Sequence, residues 1–364
     1  MNSRVPPVEL QKSDLAAGSG GAGGIEEGSA DSQRRFPRTS LGLVTYCFGI
    51  AARYRGAVPG TPNFNEPAGF IAEAARIGAA AVQISYGILN AEKRREIRDL
   101  AERQGIALEA TVSLPKGGEA ELAKFQEEME MLRELGVKVA RTVMLPGRRY
   151  EQFKTILEYA NALQVGLKAL SDAEKVARRT GVRLALENHK DQTLEERLAL
   201  LEQFSSEWIG ATLDVGNNIA LLEDPVEVAR AFAPWTLTVH FKDQGVREYE
   251  DGFLLADVPV GEGAIDLPAV IKVIREKKPE VLFHLELITR DPLKIPCLRE
   301  NYWTTLDAVK ARQLGSTLAM LKARGSKLEF PLVTKLNPSE QVRAERENIE
   351  RSFRYAANNL GFSK

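Results

Sequence analysis

Eight short apolar runs, separated by amphipathic stretches, limit this chain's fold more than any other feature. The first four are LGLVTYCF (41–48), AAVQISY (80–86), IALEATVSL (106–114) and VKVARTVM (137–144). The second four are VRLALEN (182–188), WIGATLDVG, TLTVHFKD (236–243) and EVLFHLELI (280–288). Stretches such as AEKRREIRDLAERQG and ELAKFQEEMEMLRELG lie between them, with apolar residues at helical spacing. Gly105, Gly136 and Gly181 sit where helices would stop before strands begin. Strand–helix alternation repeated eight times points to an α/β chain folded as a (β/α)₈ barrel. A doubly wound open sheet is the alternative, but no G-x-G-x-x-G follows the first strand.

Composition adds boundaries. The 364 residues are 44% apolar with a formal net charge of -1, so nothing draws the chain toward nucleic acid or an anionic membrane. No apolar stretch is long enough to span a bilayer, and Cys47 and Cys297 alone make no disulfide framework. A soluble, cytoplasmic protein is expected. Residues 1–38 read as a flexible tail rich in Gly, Ser and charge. Arg34–Arg35 before an apolar run raises a twin-arginine export signal, but the run is short and serves better as a first strand. The barrel is placed at 39–325. A charged helical extension over 326–364 is left for packing on the outside or for homo-oligomer contact.

Side-chain parity locates a site. In VRLALEN, Ala185 and Glu187 oppose Leu184 and Leu186; in TLTVHF, His240 shares a face with Thr236 and Thr238. Glu286 shares a face with His284, and Asp214 with Thr212. Glu187, Asp214, His240 and Glu286 therefore point inward near strand ends, where barrel active sites lie. One such residue alone is better explained by a salt bridge. Three carboxylates and an imidazole on successive late strands suit one divalent cation, Mn²⁺ or Mg²⁺ first, with Co²⁺ or Zn²⁺ as other takers.

The motifs LALENHKD, GATLDVGNN, TVHFKD, VPVGEGAIDLPAVI and HLELI together resemble the xylose isomerase-like TIM barrel superfamily, over roughly Leu41 to Arg324. That superfamily includes sugar phosphate isomerases and epimerases, ketose 3-epimerases and type IV endonucleases. The resemblance implies that the four residues bind metal and that Glu187 and Glu286 also move protons. The sequence departs from the family at Asn217, where Asp-x-x-His is common. With His189, His240 and His284 as its only histidines, the chain lacks imidazoles for a three-zinc nuclease site. Ketose epimerases carry an arginine after the seventh-strand histidine; Arg247 is a counterpart that does not match in position.

Other candidates for substrate contact are Asn217, His189, Lys190, Glu109, Tyr46 and Tyr86, with Gln83 beside them. For the tyrosines the plain alternative is core packing, for Glu109 a structural partner such as Arg141, and for His284 an interior hydrogen bond. The glycines of VPVGEGAIDL shape a turn, with Asp266 as helix cap, and REYED (247–251) reads as a mobile rim or lid. The first functional expectation is a metal-dependent sugar isomerase or epimerase working through an enediolate of a keto sugar. The alternative is a lyase that decarboxylates a 3-oxo sugar acid, because ENHKD, Lys242 and Arg247 supply cations for an anionic substrate. A sugar-binding barrel without catalysis and an endonuclease complete the range.

Overall fold

The computed structural model describes residues 37–364 apart from Gly60, Asn65, Pro146 and residues 307–310. The expected tail and the Arg34–Arg35 pair lie outside the described residues, except for its last two positions. Eight parallel strands close a barrel, in agreement with the alternation in the sequence. These are β1 (Leu41–Val44), β2 (Ala81–Ile84), β3 (Ala107–Thr111), β4 (Val139–Thr142), β5 (Arg183–Glu187), β6 (Ile209–Asp214), β7 (Thr236–Phe241) and β10 (Phe283–Leu285). Around the barrel the order is β1-β10-β7-β6-β5-β4-β3-β2. Three further strands, β8 (Asp243–Tyr249), β9 (Gly252–Val258) and β11 (Leu293–Ile295), make a small antiparallel sheet.

Register fixes which residues face the barrel axis. Gln83 pairs with Glu109, Gly42 with His284, His284 with His240, and His240 with Asp214. Arg141 pairs with Ala185, two residues before Glu187. The opposite faces carry Leu41, Leu43, Leu184, Leu186, Val239 and Phe283, all buried. The bulky apolar material therefore packs outward under the helices, while the interior is lined by small and polar side chains. Gly42 is required: a Cβ there would lie 2.4 Å from His284 Nδ1.

Local chemistry starts and stops the helices. Thr155 with Glu158 and Thr193 with Glu196 form capping boxes for the helices Ile156–Thr180 and Leu194–Phe204. Gly181 closes the former at φ 72°, a left-handed conformation that favours glycine. Asp266 accepts from the Ala269 amide at 3.1 Å, the cap expected at that position. The turn before it wraps Asp243, whose carboxylate accepts from the amides of Gly261 and Gly263.

Two expectations are corrected. The run 41–48 is a strand only to Val44; Thr45–Phe48 is a 3₁₀ turn that buries Cys47 and Phe48. REYED is no lid: Arg247–Tyr249 belong to β8, in a hairpin with β9. Val246, Phe253 and Leu255 give that hairpin its own buried face. The helix Pro338–Asn359 of the C-terminal extension packs along the loops that follow β1 and β10. Buried Glu345 accepts from the amides of Ile50 and Ala51 at 2.7 and 2.9 Å, and Asn348 donates to Thr289 Oγ1 at 3.1 Å.

Candidate metal centre

Glu187 ends β5, Asp214 ends β6, His240 lies one residue before the end of β7, and Glu286 follows β10. These strands are neighbours in the barrel, so the side chains converge. One ligand atom from each lies within 4.8 Å of all the others, and all four residues are buried. For comparison, opposite ligands of a Mg²⁺ ion are about 4.2 Å apart and those of a Ca²⁺ ion about 4.8 Å apart.

The donor set fits such an ion. His240 Nε2 lies 2.7 Å from Gln83 Oε1, which can only accept, so the proton is assigned to Nε2. In the neutral ring Nδ1 then carries the lone pair. It has no hydrogen-bond partner and stands 3.4 Å from Glu286 Oε2 and 3.6 Å from Glu187 Oε2. An imidazole lone pair directed at carboxylate oxygens is unfavourable unless a proton or cation lies between them. Asp214 Oδ1 accepts from the amides of Gly216 and Asn217, both at 2.9 Å, and Oδ2 remains on the cluster side.

Two side-chain cations enter the cluster. Arg141 grips Glu187 Oε2 through Nε and Nη2, and Lys242 Nζ contacts Asp214 Oδ2 at 2.7 Å and also Glu286 Oε2. Burial alone would raise the pKa of Glu187, but Arg141 and then His240 outweigh it and hold the carboxyl below its ordinary range. Glu286 likewise is held down against burial by Lys242 and His240. Asp214 goes the other way: burial, reinforced by the two glutamates, pushes it up to about 7 against Lys242. Burial opposes the charged form of His240, yet Glu286 and Glu187 raise it to about 9.

A cavity of about 240 Å³ opens beside this cluster. Its wall includes His189, Lys190, Asn217, Lys242, Glu286 and Arg290. Asn217 donates to Glu187 Oε1 at 3.1 Å and to the Asn188 carbonyl at 3.0 Å, while its Oδ1 accepts from Lys190. Asn217, His189 and Lys190 are thus gathered at the cavity.

The remaining candidates lie elsewhere. Arg247 is on β8, 3.4 Å from Glu329, because the hairpin carries it away from the cavity. Glu109 lies one inward layer deeper, accepting from Gln83 at 3.1 Å and Thr238 at 2.7 Å, with His284 Nε2 at 3.0 Å. Its partner is therefore not Arg141, which reaches Glu187 instead. Tyr86 is buried and does not line the cavity. Tyr46 is exposed; its hydroxyl accepts from Arg141 at 3.3 Å.

Sequence reasoning offers Arg141 as a partner for Glu109 and misses Asn188. Parity directs Arg141 to Glu187 instead, since its strand partner Ala185 shares a face with Glu187. Asn188 had no such signal. Its amide brackets the Asp214 peptide, accepting from N–H at 2.7 Å and donating to C=O at 2.8 Å, and so fixes the end of β6 against β5.

Comparison with known proteins agrees with this fold. Residues 71–322 match the family model described as xylose isomerase-like TIM barrel. A 3-oxo-isoapionate decarboxylase of Pectobacterium atrosepticum is 26% identical over 272 residues, covering 73% of this chain and 92% of that protein. Among solved structures, a D-psicose 3-epimerase with D-fructose present superposes with a TM-score of 0.55 at 16% identity, covering 81% of this chain and 93% of the other. A xylose isomerase-like TIM barrel protein from Mycobacterium smegmatis in complex with magnesium gives 0.52 at 17% identity, covering 80% and 99%.

Proposed function

Because the chain belongs to the xylose isomerase-like TIM barrel family, we propose that it is a divalent-metal-dependent enzyme that decarboxylates a 3-oxo acid derived from a carbohydrate. Glu187, Asp214, His240 and Glu286 would hold the ion, Mn²⁺ or Mg²⁺ by the predominance of oxygen donors. A cation bound there supplies a Lewis acid that draws charge from a substrate carbonyl.

One observation carries the choice of reaction. Both glutamates that could act as carbon bases are already gripped by cations, Glu187 by Arg141 and Glu286 by Lys242. Isomerisation or epimerisation requires a carboxylate free to remove a proton from carbon. Decarboxylation requires none: the bond between the carboxylate carbon and C2 breaks, and its electron pair moves toward the 3-oxo group to form an enediolate. Carbon dioxide leaves, and a proton must then be delivered to C2. Lys242 Nζ, set between Asp214 and Glu286, is a donor at that place, and Arg141 keeps Glu187 ionised and fixed throughout. Asn217 holds the other oxygen of Glu187 as a neutral amide, adding no base. The decarboxylase relative supports the same reading.

The test pairs two substrates. Metal-loaded protein is incubated with 3-oxo-isoapionate and, separately, with D-psicose, with carbon dioxide followed by a coupled assay and sugar products by NMR. Carbon dioxide release from the oxo acid, abolished by chelator and restored by Mn²⁺, is expected. Epimerisation of the ketose without any release of carbon dioxide from the oxo acid would overturn the proposal in favour of an epimerase.

A further inference from the structure

The cavity beside the metal cluster has an imbalance of charge. Arg148, Lys190, Lys242 and Arg290 all line it. Arg148 is paired with Glu151, Lys242 with Asp214 and Glu286, and Arg290 with Asp257. Lys190 has no carboxylate partner among the described residues, although it is only 5% exposed. Its ammonium contacts one neutral acceptor, Asn217 Oδ1. Two other polar atoms on the wall residues are buried without partners, His189 Nδ1 and Arg290 Nε.

The backbone explains why Lys190 is there. It sits at φ 64°, a left-handed conformation rare for lysine. The turn is held from three sides. The His189 amide donates to Asp191 Oδ1 at 3.0 Å, the fully buried Arg197 binds both oxygens of Asp191, and the Arg149 amide donates to the Lys190 carbonyl at 3.0 Å. An unfavourable backbone conformation fixed by a buried ion pair, delivering an uncompensated cation to a cavity wall, has a ready physical use.

We propose that Lys190 is the specificity residue for an anionic substrate group, with its Nζ moving from Asn217 Oδ1 to a carboxylate oxygen of the bound molecule. His189 Nδ1, in the tautomer that carries a proton there, and Arg290 Nε supply neighbouring donors. A carboxylate would complete the charge balance of the wall and satisfy donors that are otherwise buried without partners. Burial, and next the Lys242 ammonium, push the Lys190 pKa down to about 8 against the opposing influence of Asp214, which does not reach Lys190 as an ion pair. This inference rests on the proposed sugar-acid reading but can outlive it, because an isomerase of an anionic sugar would use the same contact.

The experiment separates charge recognition from turnover. Binding of D-ribonate and of uncharged ribitol to the Mn²⁺-loaded protein is measured by calorimetry, in wild type, Lys190→Met and Lys190→Arg. Wild type is expected to prefer ribonate by about tenfold or more, with the preference shrinking as salt is raised. Lys190→Met should lose the preference while keeping ribitol affinity and Mn²⁺ stoichiometry, and Lys190→Arg should keep part of it. Equal binding of the two ligands by wild type, no ribonate binding at all, or an undiminished preference in Lys190→Met would overturn the assignment. A protein that shows the ribonate preference but releases no carbon dioxide from an oxo acid would refute the reaction and leave this contact standing.

Discussion

Two layers of the barrel interior use the same residue types to opposite effect. The deeper layer sets one carboxylate, Glu109, among Gln83, Thr238 and His284, each within 3.1 Å of Glu109 Oε2. The layer above sets three carboxylates around one imidazole, and His240 Nδ1 is left without a hydrogen-bond partner. Gln83 joins the two, donating to Glu109 below and accepting from His240 above. A buried Glu–His pair is therefore no evidence of a metal site by itself. What distinguishes the layers is the number of carboxylates: the deeper one sets a single acid among neutral neighbours and an imidazole, whereas the upper one crowds three acids together with Arg141 and Lys242 between them.

The largest expected difference is in turnover. Glu286→Gln should lower kcat/KM for carbon dioxide release by about a thousandfold, whereas Glu109→Gln should stay within about tenfold of wild type while losing about 1–3 kcal/mol of stability. Steady-state kinetics and denaturant unfolding measure both. Equal losses of activity in the two variants would erase the distinction between the layers.

A second comparison concerns stability within the upper layer. Removing the guanidinium in Arg141→Met leaves Glu187 buried and charged, which should cost about 3–5 kcal/mol. Neutralising the acid as well, in Arg141→Met with Glu187→Gln, should recover much of that loss. A double variant as unstable as the single one would mean that the arginine contributes through packing alone.

The smallest effect comes from a carboxylate outside both layers. Glu345 accepts backbone amides, and the dominant influence is burial, which raises its pKa to about 7 from 4.5. Glu187, also buried, moves the opposite way because Arg141 is beside it. A raised folded-state pKa means that the folded protein binds more protons between pH 4.5 and 7. Stability contributed by Glu345 should thus fall as pH rises through that window. Thermal melts of Glu345→Gln should show a flatter pH dependence there; an unchanged slope would remove this residue from the account.

The legibility of these features in the sequence follows from the range of the interactions. Period-two alternation is local, so the barrel and the inward direction of Glu187, Asp214, His240 and Glu286 could be read residue by residue. Which acid Arg141 meets depends on the register between β4 and β5, and the burial of Lys242 depends on Asp214 and Glu286 from two other strands. The hairpin β8–β9 was hidden because charged REYED masks the apolar alternation of Val246, Phe253 and Leu255. Arg247 is a candidate through its likeness to the arginine that follows the seventh-strand histidine in ketose epimerases, and the turn into β8, which sets it beside Glu329, has no local signal.

The claim beneath all of this is that the upper layer holds one divalent cation. Titration of chelator-treated protein with Mn²⁺, followed by electron paramagnetic resonance of the free ion, tests it directly. One Mn²⁺ per chain is predicted for wild type and a loss of that site for Asp214→Asn. No stoichiometric uptake by wild type, or the same uptake by the variant, would contradict it.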